Sequence, residues 1–353
     1  MISKKVSEFN HMQEKNSIKG KERNAAFVLL REVMLIKEND KVAITCDEFS
    51  DEKVKNVLMK ELNQLGAVPV ALSYPSNLFN GSNLPSAVSE GIFASDVWLE
   101  LSGKYALYSE TRFEASKRGV RYSCLTGMDY DLFLRAFNGI NYNELLEFGK
   151  TLSSAIDRSE RIEIISGNGQ ILTAFGKVKS SVVSGIPNPS KGSTTMFAGT
   201  VNWISQENRI SGEIVVDGSI WPPVGVLKEP ITFKIDKGII TEISGGSESG
   251  LLNKWLEDME DENMYRVAHL TIGFHPNIRK LRGIILEDER LFGSFQIGFG
   301  TQGPAFGKKW IAKSHSDAII KCPTVKLDGN NILSEGKFTL KNFSKSNFNF
   351  LEG

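Results

Sequence analysis

A histidine and an aspartate two residues apart stand at the start of the strand-like run "HSDAIIKC". In an extended strand, residues i and i+2 point to the same face, so His315 and Asp317 are predicted to project side by side. A neutral imidazole and a carboxylate in this arrangement can bind one divalent metal ion. The simpler interpretation is a His–Asp hydrogen bond at the start of a strand, because the H-x-D pattern is short.

His269 offers a second imidazole. The chain has only four histidines, and His269 lies inside the apolar run "YRVAHLTIGF", which predicts a strand. A histidine in a strand is usually a satisfied core residue or a half-exposed one. With His315 and Asp317, however, it makes a set of two histidines and one carboxylate, which non-haem Fe(II) oxygenases favour because metal positions stay open for substrate and O2. The residues therefore indicate a mononuclear metal site.

The composition is that of a soluble globular protein. The 353 residues allow two domains, and the balance of 42 basic and 42 acidic residues gives no field that would attract nucleic acid or an anionic membrane. No apolar run approaches the roughly 20 residues that span a bilayer, and the N-terminus has no signal-peptide core. Three widely spaced cysteines fit a reducing cytoplasm. We expect a cytoplasmic enzyme with no nucleic-acid or membrane partner.

Residues 1–155 are predicted to form an α/β domain with a largely parallel sheet. Helical spacing in "RNAAFVLLREVMLI" and "DEKVKNVLMKELNQLG" alternates with the buried strands "DKVAITCDE", "AVPVALSY" and "ASDVWLELS". Gly66 is predicted to end the second of these helices. No glycine-rich phosphate-binding motif follows a strand, so a nucleotide-binding role is unsupported.

Residues 156–353 are predicted to form a β-rich α+β domain that carries the metal site. Short strands rich in β-branched residues and aromatics are broken by turn signals such as "GNGQ", "WPPVG" and "LDGNN", with one clear helix in "SGLLNKWLEDMEDE". Every histidine except His11 lies in this half. It is therefore the expected catalytic domain.

The order of motifs from Gly199 to Phe338 resembles the M29 family of metallo-aminopeptidases, the aminopeptidase T type. The motifs that carry this resemblance are "AGTVNWISQENRISGEIVVDGSI", "HLTIGFHPN", "ILEDERLFGSFQIGFG" and "SHSDAII". The resemblance implies two domains, a metal site in the second, and a homo-oligomer, a dimer or larger.

Three positions depart from the peptidase pattern. Thr200 and His269 stand where the peptidases have glutamates, and Gln296 stands where they have a histidine; only the H-x-D element is kept. A two-metal hydrolase needs bridging carboxylates to hold its ions about 4 Å apart. The altered set predicts a site for one ion.

This altered set resembles a divergent branch of the same superfamily, the 2,5-dihydroxypyridine 5,6-dioxygenases. The resemblance implies one Fe(II) bound by His269, His315 and Asp317. It also implies two substrates, O2 and a small hydroxylated heteroaromatic such as a dihydroxypyridine, and cleavage of the ring.

Supporting roles are predicted for a few further residues. His275 replaces the asparagine of the peptidase pattern and is a candidate acid–base catalyst, with a capping or surface histidine as the alternative. Thr200 and Gln296 should face the cavity and bind substrate through hydrogen bonds. Aromatic side chains could wall the pocket, although core packing is the alternative for each: Trp203, Trp221 and Phe299. The charged turn "EDER" (287–290) is predicted to be structural.

Two other functions remain open from the sequence. One is an M29-type metallo-aminopeptidase with an altered metal site. The other is a non-catalytic binding protein that kept the fold after losing its metals.

Overall fold

The computed structural model describes residues 18–183, 185, 192, 194–205, 209–302 and 309–339, so His11 lies outside the described residues. The chain divides into two compact units, Met1–Leu145 with Ser184–Ala198, and Leu146–Val183 with Gly199–Gly353. The domain limits 1–155 and 156–353 stay a prediction. In the part of the chain that the structure describes, no helix has the length and apolar character to cross a membrane.

The helices are, in chain order, α1 (Ile18–Phe27), α2 (Glu52–Gln64), α3 (Ser86–Phe93), α4 (Glu110–Lys117), α5 (Tyr130–Phe137), α6 (Tyr142–Arg158), α7 (Ser249–Asp258) and α8 (Ile285–Asp288). A π-helical segment over Val28–Val33 continues α1, and 3-10 turns occupy Ser76–Leu78 and Glu262–Tyr265.

The strands are β1 (Lys41–Cys46), β2 (Val68–Ser73), β3 (Val97–Glu100), β4 (Arg121–Cys124), β5 (Arg161–Ser166), β6 (Gln170–Phe175), β7 (Ser180–Val183), β8 (Thr194–Thr195), β9 (Thr200–Trp203), β10 (Ile210–Val216), β11 (Ser219–Trp221), β12 (Gly225–Val226), β13 (Ile231–Asp236), β14 (Ile239–Ser244), β15 (Val267–Gly273), β16 (Ser294–Gly300), β17 (His315–Ile320), β18 (Thr324–Leu327), β19 (Asn330–Ser334) and β20 (Lys337–Phe338).

The first unit contains a parallel sheet with strand order β2-β1-β3-β4-β8. Strands β3 and β4 are buried along their whole length, as expected for a parallel sheet with covered faces. Helix α2 begins where the Asp51 side chain accepts the backbone N–H groups of Lys53 and Val54, and it ends before Gly66 at φ +74°. The predicted α/β architecture is confirmed.

A buried carboxyl group lies at the carboxyl end of β3. Glu100 is fully buried, accepts the backbone N–H of Ala106 at 2.7 Å, and accepts a hydrogen bond from the Tyr122 hydroxyl. Burial raises the pKa of Glu100 to about 7, although these hydrogen bonds oppose the shift. The carboxyl group is therefore held largely neutral below neutral pH.

The second unit contains two antiparallel sheets. Their strand orders are β14-β13-β10-β6-β5-β18-β19-β20 and β12-β11-β17-β16-β15-β9-β7. Core side chains join the sheets, for example Phe233 of β13 and Phe299 of β16, whose ring centroids lie 5.8 Å apart. The predicted β-rich second half, with helix α7 in it, is confirmed.

Strand β16, at the centre of the seven-stranded sheet, has different residue types on its two faces. Phe295 and Phe299 point toward the core between the sheets, where they pack on Trp203 and Phe233. The alternate residues of the strand point the other way because side chains alternate in direction, and they are small or polar: Ser294, Gln296, Gly298 and Gly300. We call this opposite face of the seven-stranded sheet the site face.

Replacing Glu100 with Gln should remove a pH dependence of stability. An ordinary glutamate ionises near pH 4.5, whereas the pKa of Glu100 in the folded protein is about 7. The stability that the neutral carboxyl contributes is therefore fully present below about pH 4.5 and is lost as the pH rises through about 7. Relative to the parent, Glu100→Gln should gain stability between pH 5 and pH 8.5, by up to about 3 kcal/mol.

Urea unfolding at pH 5, 7 and 8.5 measures this gain. Glu90→Gln, at an exposed position of α3, is the matched control and should show no such trend. A constant difference between Glu100→Gln and the parent at all three pH values would contradict the prediction.

Candidate metal centre

Three neighbouring strands carry the predicted metal ligands. In the register of the sheet, Gly298 of β16 lies opposite His269 of β15 on one side and opposite Asp317 of β17 on the other. Gly300 lies opposite His315. Residues opposite each other in antiparallel strands share a face, so all three predicted ligands project from the site face.

The ligand atoms of the three side chains converge on one point. His269 Nε2 lies 3.2 Å from His315 Nε2 and 3.4 Å from Asp317 Oδ1, and His315 Nε2 lies 3.2 Å from the same oxygen. Three atoms that bind one ion at about 2.1 Å lie roughly 3.0–3.4 Å apart. Within the described ranges, these residues are the one group of three or more His, Cys, Asp or Glu side chains with this property.

Hydrogen bonds orient each of the three side chains. His315 Nδ1 donates to the carbonyl oxygen of Thr301 at 2.8 Å, which leaves the lone pair of a neutral ring on Nε2. His269 Nδ1 lies 3.1 Å from the Thr271 hydroxyl, so its Nε2 also faces the shared point. The Gln296 amide nitrogen donates to Asp317 Oδ1. Partners of this kind fix ring orientation and tune ligands in metal sites.

The electrostatics of the cluster favour a cation. Burial alone would raise the pKa of Asp317, but the charge of His315 and hydrogen bonds from His269 and His315 hold that pKa well below its usual range. Burial lowers the pKa of His315, yet the Asp317 carboxylate and the Thr301 carbonyl raise it by more. The carboxylate therefore stays ionised, and a metal ion can replace the proton that His315 would otherwise hold.

Gly298 leaves the space in which the His269 ring lies. A methyl group at this position would come within 2.2 Å of His269 Nε2 and 2.5 Å of two ring carbons. Real Cβ atoms do not approach other atoms so closely, so any larger residue would displace the ring. The alternating glycines of "GSFQIGFG" were the sequence signal for this clearance.

The turn after α8 contributes a carboxylate that sequence reasoning had treated as structural. Asp288 does act structurally, since it accepts the backbone N–H groups of Arg282 and Gly283 at 2.7 and 3.0 Å. Glu289 is different. Burial raises its pKa, the Arg290 guanidinium that it contacts lowers it, and the nearby negative charge of Asp317 raises it. Glu289 is therefore a second carboxyl group close enough to the cluster for its charge to interact with that of Asp317.

Thr200 and His275 lie together, but at the far end of β15 from His269. Thr200 pairs with Gly273, four residues along the strand, which corresponds to about 13 Å. His275 is fully buried, and its Cβ closely approaches the backbone of Gly199. The structure thus brings Gln296, but not Thr200 or His275, against the three predicted ligands. The roles predicted for Thr200 and His275 stay predictions.

The three aromatic candidates differ in environment. Trp203 and Phe299 are completely buried in the core between the sheets. Trp221 is 43% exposed and lies directly opposite Asp317 in the pairing of β11 with β17. Only Trp221 of the three therefore stands on the site face.

A family model described as 2,5-dihydroxypyridine 5,6-dioxygenase matches residues 25–340. The chain belongs to this family. The membership confirms the predicted resemblance, and it supports an oxygenase as the class of enzyme and a metal as its cofactor.

Individual relatives are more distant. The 2,5-dihydroxypyridine 5,6-dioxygenase of Pseudomonas putida (strain KT2440) is 25% identical over 140 residues, which cover 37% of this chain and 40% of that relative. The match therefore spans less than half of the relative's length.

Two solved structures share the fold. The 2,5-dihydroxypyridine dioxygenase from Pseudomonas putida KT2440 superposes with a TM-score of 0.74 at 19% identity, over 92% of this chain and 98% of that one. Wild-type AmpT from Thermus thermophilus gives 0.69 at 13% identity, over 92% and 100%. At these identities the likeness concerns the fold alone.

Gly298→Ala should abolish tight metal binding while the protein stays folded. The added methyl group would occupy the position of the His269 ring edge, so the ring must turn away from His315 and Asp317. We expect at least a hundredfold weaker affinity, comparable to the loss of a ligand's support in known sites. Metal content after dialysis against a weak chelator measures this.

The matched control for Gly298→Ala is Gly250→Ala in α7, where a methyl group would meet no atom within 4 Å. Gly250→Ala should bind metal as the parent does. Full metal content in Gly298→Ala would contradict the assigned position of His269.

Asp317→Ala should lower the metal content from one ion per chain to nearly none. The carboxylate is the one anionic member of the converging group, and two imidazoles alone bind divalent ions weakly. Elemental analysis of parent and variant, with circular dichroism to confirm folding, tests this. Two tightly held ions per parent chain would contradict a single site.

Proposed function

We propose that this protein is a non-haem Fe(II)-dependent dioxygenase that cleaves the ring of a small hydroxylated heteroaromatic such as a dihydroxypyridine. The observation that carries the proposal is the convergence of two imidazole nitrogens and one carboxylate oxygen within 3.4 Å of one another. Two histidines and one carboxylate, with the other metal positions open, are the ligand set of non-haem Fe(II) oxygenases.

The donor chemistry fits ferrous iron. Both imidazoles and the carboxylate are ligands that suit a divalent first-row metal, and the cluster has no thiolate that would favour zinc or copper. A single carboxylate adds one negative charge to the centre. When bound, Fe(II) supplies the one-electron chemistry through which O2 can react with a ring.

The residues around the cluster hold the ligands and, we propose, orient the substrate. Thr301 and Thr271 hold the two histidine rings through Nδ1. Gln296 donates its amide N–H to Asp317, while its amide oxygen is buried and accepts no hydrogen bond from the described part of the protein. We propose that the Gln296 amide also makes a hydrogen bond to the substrate ring, the role that the sequence predicts for this residue.

The aminopeptidase alternative lacks support in the site. The likeness to AmpT concerns the fold, and the described residues offer no second group of ligands beside His269, His315 and Asp317. Gln296 points its amide group at Asp317 where the peptidase pattern has a histidine. Family membership and the Pseudomonas putida relative support the oxygenase instead.

The Fe(II)-loaded protein should consume one O2 for each molecule of 2,5-dihydroxypyridine, with no added reductant. Both oxygen atoms and all electrons of this ring cleavage come from O2 and the substrate. An oxygen electrode, with loss of ring absorbance followed in parallel, measures the ratio. Zinc-loaded protein and Asp317→Ala should be inactive, with rates at least a hundredfold lower.

Hydrolysis of an aminoacyl anilide by the same preparations is the opposing measurement. Peptidase activity without O2 uptake would overturn the proposal in favour of the hydrolase. Neither activity, with no tightly bound metal, would favour a non-catalytic binding protein.

A further inference from the structure

Trp221 is an exposed tryptophan beside the metal-ligand cluster. Strand β11 pairs with β17 so that Trp221 lies opposite Asp317 and Ile220 lies opposite Ala318. Opposite residues in antiparallel strands share a face and have Cβ atoms about 4.5–5.5 Å apart. The indole therefore rises from the site face next to the carboxylate, although 43% of the residue is exposed.

The hairpin that carries Trp221 is anchored on both sides. The Ser316 hydroxyl donates to the carbonyl oxygen of Pro222 at 2.6 Å, and Val224 donates its N–H to the carbonyl oxygen of Ile220 at 3.1 Å. Across the base of the hairpin, Leu227 N–H donates to Gly218 at 2.9 Å. The backbone from which the indole projects is therefore held in place at this point of the sheet.

Two other tryptophans of the second unit are differently placed. Trp203 is completely buried in the core. Trp310 donates its indole N–H to the carbonyl oxygen of Gly300 at 2.8 Å, and the Arg266 guanidinium lies over its ring. Exposing a large aromatic surface to water is unfavourable, so an anchored and exposed indole at a metal cluster is placed to be covered by a ligand.

We propose that Trp221 is the aromatic wall of the substrate site, and that its indole stacks on a flat ring whose oxygen atom is held at the cluster. This inference deepens the proposed function and rests on it for the location of the ring. Stacking depends on a planar π-system, so Trp221 selects aromatic rings over saturated rings and extended peptides. It is thus a specificity-determining residue.

The geometry supports a ring of one six-membered unit. The cluster holds the ring at one edge through an oxygen atom, and the Trp221 side chain starts one strand spacing, about 4.8 Å, from Asp317. Gln296 approaches Asp317 from β16, on the opposite side from β11. A small ring between Gln296 and Trp221 would therefore meet a hydrogen-bond acceptor on one side and an aromatic surface on the other.

The test is anaerobic binding to the Fe(II)-loaded full chain, for which O2 must be absent so that no turnover occurs. The probes are 2,5-dihydroxypyridine and its saturated counterpart 3-hydroxypiperidine. Calorimetry measures the affinity for each probe, and elemental analysis measures the metal content of each protein. Fluorescence spectroscopy measures how far each probe quenches the tryptophan emission. The variants are Trp221→Leu and Trp221→Phe, with Phe175→Leu as the matched control, because Phe175 is a 45% exposed aromatic residue on the eight-stranded sheet.

Trp221→Leu should weaken binding of the dihydroxypyridine about threefold to tenfold, the range expected for one aromatic stacking contact. Trp221→Phe should retain most of the affinity because a phenyl ring still stacks. Both Trp221 variants should match the parent in metal content and in affinity for the piperidine. Phe175→Leu should match the parent in affinity for the dihydroxypyridine. Fluorescence quenching by the dihydroxypyridine should be clearly smaller in both Trp221 variants than in the parent, because the other four tryptophans remain.

Unchanged affinity in Trp221→Leu, or quenching in that variant as large as in the parent, would overturn the inference even if the parent consumes O2. A parent that binds flat rings through Trp221 but consumes no O2 would contradict the proposed function and leave the inference standing. A parent that binds neither ring would contradict both.

Discussion

Electron-rich atoms held close together repel each other, and three such atoms lie together on the site face of the seven-stranded sheet. Two imidazole nitrogens and a carboxylate oxygen lie within 3.4 Å of one another. The Gln296 amide and the upward shift of the His315 pKa show that positive charge at this point is favourable. A divalent metal ion would place a larger positive charge at this point, and its remaining coordination positions would stay open for other ligands.

The sheet makes this convergence possible through one missing side chain. Ligands on β15 and β17 are two strand spacings apart at the backbone, about 9.6 Å, and must reach over the strand between them. Gly298 gives them the space, while Phe295 and Phe299 on the reverse of the same strand pack in the core. Strand β16 thus packs in the core through one face and leaves space for the ligand side chains on the other.

This fold is shared with two proteins whose sequences are very different from this one. AmpT and the dioxygenase of Pseudomonas putida both superpose on most of this chain, although neither reaches 20% identity. His269 and Gln296, both on the site face, are two of the positions at which this sequence departs from the peptidase pattern. Function therefore has to be argued from the site, since the backbone is common to all three proteins.

The sequence by itself determined that an α/β half precedes a β-rich half, and that two of the ligands project from one face of a strand. Alternating helices and buried strands predict the parallel sheet, and turn-broken strands predict the β-rich half, because both patterns are properties of short segments. That His315 and Asp317 share a face follows from the two-residue period of a strand, which is also local. Together with the order of motifs, these features were enough to nominate His269.

Only the tertiary structure decided which of these residues meet. Strand register is set by hydrogen bonds between segments far apart in the chain, so no local pattern specifies that His269 lies opposite Gly298 and Gly298 opposite Asp317. The same register carries Thr200 about 13 Å along β15 from His269. It brings Trp221, for which the sequence left a pocket wall and core packing open, to the edge of the cluster. The fold also places Glu289 there, because burial and the approach of a turn to a sheet arise from long-range packing.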